Sequence, residues 1–172
     1  MTTINNPLRL EIHKRLTSAL QEITIANGYK VEIGDNVFRG RIIFGTTDPL
    51  PMLSILEVPI PLDQLPPPGD APMSTGRWEL MVQGWVKDDK LNPTDPAHVL
   101  MADVKQRLAL EMKKANYVGA DSRGILGLGR QVTKLYIGPG VVRPPDEVSA
   151  KAYFWLTITL DLAEDLEHPY EV

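Results

Sequence analysis

Residues 77–110, RWELMVQGWVKDDKLNPTDPAHVLMADVKQRLAL, join a Trp-bearing strand to a capped amphipathic helix through a polar turn, and this pairing decides the fold class. In Trp78–Lys87, Trp78, Leu80, Val82, Gly84 and Val86 fall on one face, while Glu79, Met81, Gln83 and Trp85 fall on the other, as the period-2 geometry of a strand requires. Both faces carry bulk. The spacing predicts a central strand, covered on one side by a helix and on the other by an apolar neighbour. Asp95 is the expected cap of the helix and Pro96 its first turn. Leu100, Val104, Leu108 and Met112 form the buried stripe, with Gly119 near its end.

The elements outside this run follow the same logic. A first helix is expected from about Pro7 to Asn27, capped by Asn6, with Leu8, Ile12, Leu16, Leu20 and Ile23 on one face and Asn27-Gly28 as its stop. KVEI (30–33) and NVFRGRIIFG (36–45) read as short strands joined as a hairpin through Gly34-Asp35-Asn36, and MLSILEV (52–58) as a further strand. DSRGILGLGR (121–130) reads as a loop leading to a strand, QVTKLYI (131–137). The last strand, Ala150 to Leu162, alternates strictly, with Ala152, Phe154, Leu156, Ile158, Leu160 and Leu162 against Tyr153, Trp155, Thr157, Thr159 and Asp161. The sum is an α+β domain, a mostly antiparallel β-sheet with two α-helices packed on it. One domain over residues 1–172 suits a chain of 172 residues, long enough to bury a core that folds without staples.

Proline is the unusual count, at 15, with one cluster in DPLPMLSILEVPIPLDQLPPPGDAP (48–72) and another in IGPGVVRPPDE (137–147). Proline fixes φ and removes a backbone donor, so these stretches are expected as long connections instead of interior strands. They still carry Leu, Ile, Val and Met, unlike flexible linkers. We expect arms at about 58–76 and 138–148 that order against another subunit. Their contact residues would be Pro61, Leu62, Leu65, Pro66, Pro67 and Pro68 in the first, and Pro139, Val141, Val142, Arg143 and Pro144 in the second.

Composition narrows the function. There is no cysteine, which excludes disulfides and thiolate metal sites and suits a reducing compartment. The start, MTTINNPLRLEIHKRL, carries charges inside its first amphipathic stretch and is expected to be neither a signal peptide nor a membrane span. A formal net charge of -4 argues against a face that wraps nucleic acid phosphates.

Candidate chemistry is thin. Asp88, Asp89, Asp103 and Lys105 contain the residue types of a metal-dependent nuclease site, since carboxylates hold Mg²⁺ and a lysine steadies developing charge. A DDK turn after a strand is more often a solvated corner, and Asp103 and Lys105 are two apart on a helix, where they share no face. Gly124, Gly127 and Gly129 lack the strand-before, helix-after context of a phosphate loop. His13, His98 and His168 are scattered without metal-ligand spacing and read as surface residues. Ser54, Ser74, Ser122 and Ser149 show no nucleophile elbow. Trp78, Trp85 and Trp155, without a basic stripe beside them, read as packing or interface anchors. The expectation is a non-enzyme with no cofactor and no metal.

The order of elements, together with PMLSILEVP (51–59), WELMVQGWVKDD (78–89) and NPTDPAHVLMADVKQRL (92–108), resembles the tail terminator, or tail-completion, family of long-tailed bacteriophages. The resemblance runs from the first helix through the last strand. It implies a structural virion protein that forms a homohexameric ring on the head-proximal end of the tail tube. There it ends tube polymerisation and offers the docking face for head–tail joining. The implied partners are further copies of the chain, the tail tube protein and the neck protein, with DNA passing through the lumen without specific binding and no membrane involved. The implied location is the virion tail, assembled in the host cytoplasm. A neck or tube protein of the same fold is the neighbouring reading, and a small metal-dependent enzyme the distant one.

Overall fold

The long strand around Trp78 sits at the centre of the protein. In a computed structural model, which describes residues 6–116 and 123–171, it spans Met73–Val86 and is the third of five strands in one sheet. The strands are β1 (Val37–Arg39), β2 (Met52–Glu57), β3 (Met73–Val86), β4 (Val132–Arg143) and β5 (Ala152–Asp165), in the spatial order β1-β2-β3-β5-β4. β1 runs parallel to β2, and every other pairing is antiparallel. The α+β architecture with a mostly antiparallel sheet and two helices is therefore observed.

Helices α1 (Leu8–Gln21) and α2 (Asp95–Met112) cover one face. The predicted stripes supply that core. Leu8, Ile12, Leu16, Leu20 and Ile23, with Leu100, Val104 and Leu108, are buried against Trp78, Leu80, Val82, Leu53, Ile55 and the inward residues of β5 from Ala152 to Leu162. At roughly 25 cal/mol per Å² of apolar surface removed from water, this continuous cluster is the dominant stabilising term. Gly84 lets Phe154 cross β3. A Cβ there would collide with the Phe154 ring and lie 3.0 Å from Leu53 Cδ2.

Local hydrogen bonding explains where the elements depart from expectation. α1 stops at Gln21, not Asn27, because Thr24 adopts an extended backbone inside the β-branched run Ile23-Thr24-Ile25 and caps a separate 3-10 turn, Ile25–Asn27, that ends at Gly28 with φ 90°. Pro7 takes the cap position, and Asn6 bonds Glu11 through its side chain instead of capping the helix. KVEI is not a strand. The N–H groups of Lys30 and Val31 donate to the Asp103 carboxylate at 2.8 and 2.9 Å, and that of Ile33 to Ile23 O at 2.9 Å, so the donors a ladder needs are spent. The hairpin through residues 34–36 therefore does not form, and β1 ends at Arg39, where Ser54 Oγ exchanges bonds with the backbone of Arg41.

The proline-rich segments divide differently from expectation. Residues 73–76 belong to β3, and the connection proper is 58–72 with one 3-10 turn at Leu62–Gln64. Residues 138–143, expected as a second arm, are the latter half of β4. Pro139 is tolerated because β4 is the sheet edge and its register slips between Ile137 and Gly140, a bulge that needs no donor there. Gly140 permits close approach of α2, since a Cβ would lie 2.7 Å from Met101 Sδ. Beyond it, Asp146 accepts the N–H groups of Val148 and Ser149 and the Tyr153 hydroxyl, which makes residues 144–149 a pinned turn. The expected stop of α2 at Gly119 lies outside the described residues.

Candidate functional site

Two of the acids with catalytic potential, Asp103 and Asp89, help to hold the fold. Asp103 is buried, at 4% exposure, and its carboxylate accepts the two backbone N–H groups of Lys30 and Val31. Asp89 is an ordinary corner. Its side chain accepts the N–H groups of Asn92 and Leu91, which hold its pKa below the usual carboxylate range. Lys105 is half-buried and makes no ion pair among the described residues. In Asp103 and Asp89 alike one carboxylate oxygen is taken by two backbone donors, and among the described residues Asp88, Asp89 and Asp103 do not converge into a group of metal-ligating side chains.

Two buried polar arrangements escaped the sequence reading. Glu111, at 2% exposure, takes Arg107 Nη2 at 3.0 Å, Lys114 Nζ at 2.8 Å and the Leu126 N–H at 3.0 Å. Burial alone pushes its pKa up, but the bonds from Lys114, Leu126 and Arg107 together outweigh it and hold the carboxyl below its ordinary value. Arg107 also reaches Glu22 at 2.9 Å, and Arg15 Nη1 donates to the carbonyls of Leu126 and Gly127. This clamp fastens the glycine-rich segment, whose Ile125, Leu126 and Leu128 are buried, to both helices. The segment is thus a core plug. The only hint in the sequence was the Ile-Leu-Gly-Leu spacing inside an otherwise polar loop.

His13 is not a surface residue. Its ring meets Trp78 edge-on at 5.3 Å, its side chain is 13% exposed, Nε2 lies 3.9 Å from Glu57 and Nδ1 is buried without a partner. Burial pushes its pKa below the ordinary imidazole value; Glu57 opposes this and Arg39 adds to it. His98 is exposed, as expected. His168 lies in a C-terminal turn with Asp165 and Glu167, their ligand atoms within 4.8 Å of one another. Asp165 is occupied there by the N–H groups of Glu167 and His168, as in any Asx turn. Trp78 and Trp85 are buried as expected, and Trp155 lies half-buried on the other sheet face beside Tyr153.

What remains is surface. Pro61, Leu62, Leu65, Pro66, Pro67 and Pro68 are all exposed, and Ile60, Leu62 and Leu65 stand at 51, 87 and 53%. The connection is tied to the domain at its ends, by the Val58 N–H to Glu79 O and the Leu166 N–H to Pro72 O. Among the described residues no hydrogen bond joins 59–71 to the body. Beneath it lie hollows of about 650 and 460 Å³, both bordered by Arg9, Pro66, Arg77 and Trp78. Pro139, Val141, Arg143 and Pro144 are exposed along and just beyond β4, and Val142 is half-buried against the core. The structure therefore separates the two groups of expected contact residues, placing one on a free-standing connection and the other on a sheet edge.

Among the described residues, the sheet face opposite the helices is covered only at one end. There Phe38, Phe44 and Leu50 pack over Met52, Trp85 and Tyr153, with Phe44 4.2 Å from Trp85. The rest presents Glu79, Met81, Gln83, Thr157, Thr159 and a cluster in which Tyr136 bonds Asp161 at 3.0 Å and Arg77 stacks over Tyr136. The expected apolar cover on this face is thus confined to the Trp85 end. No helix among the described residues is long and apolar enough to cross a membrane. Comparison with known protein families and with curated proteins finds no match.

Proposed function

We propose that this chain is a structural subunit of a long-tailed bacteriophage tail, in which copies close into a homohexameric ring at the head-proximal end of the tail tube. The ring ends tube polymerisation and presents the face to which the neck attaches. One observation carries the reading. A proline-stiffened connection, 58–72, holds Ile60, Leu62 and Leu65 in water over hollow space. Apolar side chains on a stiff segment that does not pack on its own domain cost little conformational entropy when a partner covers them. The order of elements, which resembles that of the tail-terminator family, supports the same reading.

A closed ring uses a heterologous contact, one patch against a different patch of the next copy. The rigid two-layer body, clamped at Asp103 and Glu111, suits a subunit whose neighbours must hold a fixed angle. In this reading the partners are other copies, the tube protein below and the neck protein above, and DNA passes without specific binding, in keeping with a net charge of -4. Negative-stain images of the purified chain test it. Single rings with a central hole are expected; open tubes would instead assign the chain to the tube itself.

A further inference from the structure

We infer that the apolar side chains of the 58–72 connection seat in the Trp85 cavity of a neighbouring copy, an inference that rests on the self-assembly reading and gives it a definite contact. The cavity, about 180 Å³, has an apolar wall of Ile42, Phe44, Leu50, Met52, Trp85 and Val148 and a polar side that includes Thr46, Asp48, Ser149 and Lys151. Ile42 and Val148 stand at its mouth, 69 and 78% exposed. An enclosed apolar cavity of ~150 Å³ holds a benzene, so a hollow of this size, open at its mouth, has room for a single leucine or isoleucine side chain against its apolar wall.

The chain cannot fill this cavity with its own connection. The connection overhangs Trp78 and the cavity is floored by Trp85, seven residues further along β3, which is roughly 23 Å at ~3.3 Å per residue. Knob and socket at opposite ends of one sheet are the arrangement a head-to-tail contact requires. Charge agrees with shape. Residues 58–76 contain Asp63 and Asp70 and no basic residue. At the socket end, Lys151 borders the cavity and is in no ion pair among the described residues, while the one acid on the cavity wall, Asp48, is neutralised by Arg41 at 2.6 Å. Attraction between such rim charges steers encounter and fixes orientation. A dimer made this way leaves one knob and one socket open, so addition continues until the rotation closes.

The absence of native cysteine permits a direct test. Leu62→Cys and Val148→Cys replace exposed side chains, so both variants fold as the parent does. Mixed and oxidised, they are expected to give a disulfide-linked pair that neither gives alone. Leu62→Cys mixed with Leu110→Cys, on the outer side of α2, serves as the control and should not link. The doubly substituted chain should give a ladder that ends at the closed ring. Rings in the electron microscope without the Leu62–Val148 link, or with the control link equally strong, overturn this contact and leave the ring standing. A ladder that never closes supports the contact and overturns the ring. Neither oligomers nor links overturns both.

Discussion

At the scale of single residues, the acids of this protein are fasteners. Asp103 shows it most directly, since its carboxylate terminates two backbone donors from the segment after α1. Asp103→Ala strands both N–H groups and should lower unfolding free energy by about 3 kcal/mol, read by urea denaturation. His13 and the largely buried Glu111 contribute to the acid response, alongside Glu11, Asp48, Asp89, Asp146 and Asp165, whose carboxyls are also held below their ordinary value. His13 has its folded pKa below the ordinary 6.5 and Glu111 below 4.5, so in each case the unfolded chain binds protons first. Stability is then lost in two steps as pH falls, the first from about 6.5 downward and the second from about 4.5 downward. His13→Phe should flatten the first step in melting-temperature profiles and Glu111→Gln should shrink the second, to which the other lowered carboxyls also contribute. None of these roles shows in the sequence, because burial of a polar side chain depends on what packs over it. Asp103, Arg107 and Glu111 share a face with Leu100, Val104 and Leu108 only in the wide sense that an 18-residue helix packed on both a sheet and α1 buries more than one stripe.

At the scale of elements, periodicity was legible and termination was not. The alternation in β3 and β5 and the stripes of α1 and α2 are strong signals, and the structure places those residues in the core. KVEI failed as a strand because a side chain 73 positions away captures its donors. Residues 138–143 failed as an arm because a bulge on an edge strand accommodates Pro139, a context that composition cannot reveal. The 58–72 connection is where composition and structure coincide in placing apolar residues outside any sheet. Replacing residues 61–72 with a Gly/Ser stretch of equal length should leave the melting temperature of the body within a few degrees while abolishing association, read by thermal melts and sedimentation side by side. Association that survives the replacement would remove the connection from the contact.

At the scale of the whole molecule, one sheet face is closed by helices, and the other, among the described residues, is closed only around Trp85. The free connection and the Trp85 cavity lie at opposite ends of β3. That polarity is what lets identical rigid bodies add head to tail, and the fixed angle between them decides whether addition stops. Mass in solution across a wide range of protein concentration therefore tests the account most directly. The account predicts one discrete assembly of six chains of 19.1 kDa, near 115 kDa, whose size does not grow further with concentration. A chain that stays monomeric throughout, or one whose mass climbs without limit, would contradict it.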